Sequence, residues 1–135
     1  MKILAIDYGK KRLGFAVGSL LLKTAIPLNY LNRVDLKFDL LYIKDLMSNH
    51  DIGKIIIGFP LNMDGTKGKI TKEVENFYRF LKKNIKIEIE MVDERLTSFE
   101  AEEILKDHIS DYKKRKNRLD SMSAVIMLNQ YFSEQ

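Results

Sequence analysis

IDYGKKRLGFAVGS, Ile6 to Ser19, presses two apolar runs against one short basic turn. The first run begins upstream, and its apolar residues are continuous rather than alternating. That pattern marks residues 2–7 as a strand buried on both faces. LGFAVGS, residues 13–19, reads as a second strand. Only the turn around Gly9 separates the two, so they pair as an antiparallel hairpin. The first strand ends in a carboxylate, Asp7, facing Lys10, Lys11 and Arg12. A lone acid at the end of a buried strand raises the question of whether other acids converge on it.

Working outward, TAIPLNY at 24–30 reads as a third strand, which Pro27 confines to an edge or a bulge. Leu36, Leu40, Ile43 and Met47 recur at helical spacing over about 36–49, with Asp35 as N-cap. KIIIGF at 54–59 is a further buried strand, and the polar loop from Pro60 to Gly68 carries a turn signal at Asp64-Gly65. A second helix, about 70–83, places Ile70, Val74, Phe77 and Leu81 on one face. Residues 85–92 alternate strictly, as a strand with one wet face does. Thr97 to Glu100 forms a capping box that opens a helix with Ala101, Ile104 and Leu105 inward. The basic segment after it reads as an interruption. A last helix over about 119–132 then carries Ala124, Met127, Leu128 and Tyr131 on one face. The order β-β-β-α-β-α-β-α-α predicts an α/β fold: a mixed five-stranded sheet with helices on both faces, antiparallel early and parallel after the helical crossovers.

The gross composition fits this reading. The 135 residues suit one domain, 1–135, and 45% hydrophobic with 31% charged residues is the balance of a globular chain. There is no cysteine, which excludes disulfides and thiolate zinc sites. No run approaches the roughly 20 apolar residues of a membrane helix, and an acid stands too early for a signal peptide. A cytoplasmic protein with no membrane partner is expected. The formal net charge is +4, and the positive residues concentrate in Lys10-Lys11-Arg12 and in Lys113, Lys114, Arg115, Lys116 and Arg118. Such blocks are usually solvated surface; beside a chemical site they become a footprint for phosphates.

In open α/β sheets, ligands gather at the carboxyl ends of the strands. Asp7 ends the first strand, Asp93 and Glu94 end the strand that begins near Ile85, and Asp120 opens the last helix. Singly, each has an ordinary duty in a turn, an ion pair with Arg95 or a helix start. Together they would repel one another, and a hard divalent cation with oxygen ligands, Mg²⁺ or Mn²⁺, removes that repulsion. Such a centre can bridge phosphate oxygens and generate hydroxide for an in-line displacement. The lysines and arginines would then hold the flanking backbone. His50 and His108 lack metal-ligand spacing, and Tyr8 reads either as a base-stacking ring or as ordinary packing.

The stretch Asp7-Tyr8-Gly9-x-Lys11-Arg12-x-Gly14-x-Ala16 resembles the opening signature of the YqgF family. These are Holliday-junction-resolvase-like proteins, also described as nucleases of pre-16S rRNA. Gly58-x-Pro60-x-Asn62-Met63-x-Gly65 and Asp93-Glu94-Arg95-Leu96-Thr97 follow in the family's order. Asp120-Ser121-x-Ser123-Ala124 is a weaker fourth block. The resemblance implies a ribonuclease H-like fold and metal-dependent cleavage of a phosphodiester backbone. Asp7 corresponds to the strand-one acid and Asp120 to the acid of the last helix. Resolvases of this superfamily carry a glutamate on the strand that here reads IIIGFP, and this sequence has none there. The Asp93-Glu94 pair would have to substitute, and strand alternation leans to Glu94 without settling it.

The leading expectation is an endonuclease of structured RNA, a ribosomal RNA precursor, with Asn62 and Arg95 among its nucleic-acid contacts. A resolvase of branched DNA is the alternative enzyme. A two-fold junction would demand a dimer; no long coiled coil or obvious dimer helix appears, so a monomer or weak homodimer is expected. A non-catalytic assembly factor with a vestigial site is the reading from another class. A nucleotide-phosphate binder ranks last, for want of a second domain to enclose the nucleotide.

Overall fold

Five strands form one sheet in the order β3-β2-β1-β4-β5, with β1 in the middle. The strands are β1 (Lys2–Tyr8), β2 (Arg12–Ser19), β3 (Thr24–Asn32), β4 (Ile52–Phe59) and β5 (Glu88–Asp93). The helices are α1 (Leu36–His50), α2 (Lys69–Asn84) and α3 (Tyr112–Ser133). The structure is a computed structural model describing residues 1–59, 68–93 and 112–135, with Phe59, Lys69 and 112–120 as backbone. The hairpin is as expected: β1 and β2 pair antiparallel, Asp7 opposite Gly14. β3 adds antiparallel to β2, and β4 and β5 add parallel. Pro27 lies on the edge strand, where a missing N–H is tolerated.

Alternation along β1 sorts the two cores. Leu4 and Ile6 join Phe15, Ile55, Ile57, Val74, Phe77 and Leu81 under α1 and α2. Ile3 and Ala5 join Ala16, Ile56, Ala124, Met127, Leu128 and Phe132 under α3. Helices therefore cover both faces, and the inward faces expected of α2 and α3 are the buried ones. Asp35 caps α1, its Oδ1 accepting from the Phe38 N–H at 2.8 Å. The helix ends on Asp51, left-handed at φ 53°, whose N–H returns to the Met47 carbonyl.

Three expectations need correction. Leu36, the first of the helically spaced apolar residues of α1, is 42% exposed, and Asp39 is wholly buried instead. The basic segment is itself helical: residues 113–118 lie inside α3, because Lys and Arg are good helix formers. Asp120 consequently does not open that helix but sits well within it, so a helix-start role is excluded. The capping box at Thr97–Glu100, the inward Ala101, Ile104 and Leu105, and His108 lie outside the described residues.

Candidate active site

The parallel pairing of β1, β4 and β5 brings their carboxyl ends to one edge of the sheet. Asp7 stands one residue beyond the Ile6–Ile57 pair, next to Gly58, and Gly58 pairs with Val92. Asp93 follows at the end of β5, opposite Phe59. Two strand spacings of about 4.8 Å separate β1 from β5. The strand-end acids Asp7 and Asp93 thus share an edge, as expected. They differ in parity. Asp7 follows Ile3 and Ala5 on the α3 side, whereas Asp93 follows Ile89 and Met91 on the α1–α2 side. The strand positions sharing Asp7's side are Glu88, Glu90 and Val92.

α3 crosses this face with its polarity fixed at two points. The Ser121 hydroxyl donates to the Leu28 carbonyl at 2.6 Å, and Leu28 pairs with Phe15, which pairs with Ile6 just before Asp7. At the far end, Phe132 packs beside Gly18, which pairs with Ile3. The helix therefore runs from the Asp7 edge to the opposite edge. Asp120 precedes Ser121 by one residue and Ala124 by one turn, placing its backbone at the Asp7 level. The basic segment 113–118 extends α3 beyond that level by about 1.5 Å per residue.

The β1–β2 turn is held by a cluster that sequence reading missed. Arg33 donates through Nε and Nη2 to Asp39 Oδ2, at 3.0 and 2.8 Å, and through Nη1 to the Gly9 carbonyl at 2.8 Å. Its backbone N–H reaches the Lys11 carbonyl. Its guanidinium lies 4.6 Å from the Tyr8 ring centre, and Tyr8 packs on Phe77 at 5.1 Å. Burial works against the charge on Arg33, but its interactions with Asp39 and Tyr8 outweigh that and raise its pKa. Tyr8 is thus engaged in packing, partly buried against the core under α1 and α2. A sequence signal existed: Asp39 lies one turn before Ile43, on the inward stripe of α1, and a buried acid needs a cation nearby.

Lys10 and Lys11 are exposed, Lys10 reaching Glu73 at 3.8 Å. Arg12 lies with its guanidinium 5.3 Å from the Tyr30 ring centre. Among the described residues no three acidic or histidine side chains form a metal-binding group. Glu94, Asn62 and Arg95 lie outside the described residues. No described helix is long and apolar enough to cross a membrane.

The fold is that of known resolvases, the ribonuclease H-like class. Thermus thermophilus RuvC bound to a Holliday junction superposes with a TM-score of 0.59 at 10% identity, covering 99% of this chain and 94% of that one. The fowlpox virus resolvase bound to junction DNA gives 0.57 at 14% identity, covering 99% and 98%. Within that class, a family model described as "RuvX: Holliday junction resolvase" matches residues 1–134, and the chain belongs to this family. Its relatives include proteins named "Putative pre-16S rRNA nuclease". The one from Syntrophomonas wolfei is 38% identical over 131 residues, 97% of this chain and 93% of the relative. That of Buchnera aphidicola is 41% identical over 132 residues, 98% and 96%.

Proposed function

We propose that the protein is a metal-dependent endonuclease that cleaves phosphodiester bonds of RNA, acting in 5′-end processing of the 16S rRNA precursor. The observation that carries this reading is the position of Asp7. It lies at the carboxyl end of the central strand, on the side of the sheet crossed by α3, at the edge where the basic half of that helix lies. The names of the relatives support pre-16S rRNA as substrate.

Asp7, Glu94 and Asp120 form the proposed acidic set. Glu94 is preferred to Asp93 because the sequence alternation Glu90, Val92, Glu94 leans to it. An all-oxygen donor set of this kind fits Mg²⁺ or Mn²⁺. When bound there, such a cation neutralises the carboxylates and lowers the pKa of an attacking water. The chain's own part is to hold the acids and the strand. Arg33 fixes the turn behind Asp7, and Lys10, Lys11, Arg12, Asn62, Arg95 and the 113–118 segment hold phosphates and position the scissile bond.

The family description favours a second reading, resolution of branched DNA. Labelled 16S precursor and a synthetic four-way junction, each incubated with Mg²⁺ or Mn²⁺, separate the two. Asp7→Asn keeps the shape and removes the charge. It should bind RNA nearly as the native chain does while cleavage falls by orders of magnitude. Junction cleavage without precursor cleavage selects the resolvase. No cleavage of either, with normal 16S maturation in cells carrying Asp7→Asn, leaves a scaffold.

A further inference from the structure

The edge strand β3 carries a bulge at the level of the site. Leu13 pairs with Leu31 and Phe15 with Leu28, so Asn29 and Tyr30 together oppose Gly14. Gly14 in turn opposes Asp7. Asp7, Gly14 and Tyr30 therefore lie in one row across the sheet, and the middle residue puts no side chain between the other two. Bulges of this kind re-aim side chains beside active sites. Here the bulge returns Leu28 and Leu31 to the same core, under α1 and α2. Tyr30 is turned to the Arg12 side, which by alternation with Gly14 and Ala16 is also the side of Asp7 and α3.

We propose that Tyr30, with the Arg12 guanidinium laid against it, is a stacking platform for an unpaired base of the strand held at Asp7. This rests on the nucleic-acid reading above and adds to it a subsite. Tyr30 and Arg12 are both part-exposed, and Asn29 and Asn32, exposed on either side, offer amide donors and acceptors. A tyrosine ring and a guanidinium plane both accept the π-face of any base, so the subsite prefers unpaired nucleotides over a particular sequence. Among the described residues, Tyr8 packs on the other side of the sheet, against Phe77 and Arg33, which leaves Tyr30 as the part-exposed ring on Asp7's side. The row geometry sets the function: a strand with its phosphate at Asp7 passes Tyr30 next, so stacking there selects a single-stranded segment beside the cut.

The test measures binding of a short fluorescein-labelled single-stranded RNA in EDTA, where cleavage is stopped, and of the same RNA with one abasic nucleotide moved along it. Tyr30→Leu, which keeps apolar bulk but loses the π-face, should weaken binding about fivefold to a hundredfold, the range of one lost stack. Tyr30→Phe should bind as the native chain does. An abasic nucleotide at one position should cost the native chain the same factor and cost Tyr30→Leu nothing further. DNA of the same sequence should repeat the pattern. Native affinity in Tyr30→Leu, or an abasic penalty that persists undiminished in that variant, overturns the stacking site and leaves the nuclease reading intact. Failure of the native chain to bind any of these strands removes both.

Discussion

Arg33 and Asp39 form an ion pair of 2.8 Å that is closed to water on the acid's side: the Asp39 side chain is 0% exposed and that of Arg33 11%. The same guanidinium holds the Gly9 carbonyl, so a buried charge and the turn behind the candidate site share one anchor. Removing one partner leaves the other charge buried and alone, which costs about 3–5 kcal/mol. Asp39→Ala should lose that much in urea denaturation. Among the described residues, Asp39 Oδ1 finds no hydrogen-bond partner, so the pair is incompletely satisfied. An apolar pair of similar volume, Arg33→Met with Asp39→Leu, should therefore be milder than Asp39→Ala alone. A double variant at least as damaging as the single one would reject this account.

The hairpin, the edge position of Pro27, the Asp35 cap and the inward faces of α2 and α3 were legible because each is written locally, in periodicity or in one capping residue. Asp7 was legible for the same reason, as a polar stop on an apolar strand. Three other features depend on distant partners. Asp39 is polar, so a hydrophobic pattern passes over it, and its burial follows from Arg33 reaching across a turn. The helical state of 113–118 was masked by its charge, although its intrinsic propensity is high. The bulge comes from pairing β3 to β2; Pro27 signals an edge or a bulge, but nothing in TAIPLNY places one at Asn29–Tyr30.

α3 packs directly over Gly18. A Cβ there would collide with the Thr24 carbonyl oxygen and come within 2.8 Å of Leu128 Cδ2 and 3.0 Å of Phe132 Cε2. Two of these are packed core side chains and the third is backbone, so none can yield cheaply. Gly18→Ala should destabilise by about 1–3 kcal/mol. Gly53 is the control. The atoms a Cβ there would meet first all belong to the Met1 side chain, part of a terminal residue 84% exposed, which can swing away. Gly53→Ala should be within about 0.5 kcal/mol of the native chain in the same denaturation experiment.

Lys54 ties the far end of α3 to the sheet, donating to the Tyr131 hydroxyl at 2.6 Å and reaching Glu90 at 2.9 Å and Glu88 at 3.2 Å. Burial works to lower its pKa, but the bonds to Tyr131, Glu90 and Glu88 outweigh that and raise it. A raised folded pKa means the contribution is complete below the unfolded value of about 10.4 and is lost as pH climbs through the folded one. The glutamates are mostly exposed, so screening keeps the effect modest. Lys54→Met should cost about 1–2 kcal/mol. The difference from the native chain should be flat between about pH 6 and 9 and shrink only in stronger alkali. A difference that already shrinks near neutrality would point to another group.

The basic half of α3 lies at the Asp7 edge, which gives its charges a position from which to meet a substrate backbone. Charge on a helix is also what ordinary solvated surface looks like, so the distinction has to come from binding thermodynamics. Each phosphate neutralised releases counterions and adds about 0.7–0.9 to the slope of log affinity against log salt. Lys113, Lys114, Arg115 and Lys116 replaced together by Gln keep the helix, because Gln is nearly as good a helix former. The variant should therefore retain native helicity by circular dichroism while binding single-stranded RNA more weakly and with a flatter salt dependence. The loss should be similar for unrelated sequences, because phosphate contacts carry no base information. A slope equal to that of the native chain would return the segment to plain solvated surface and leave the substrate backbone to Lys10, Lys11 and Arg12.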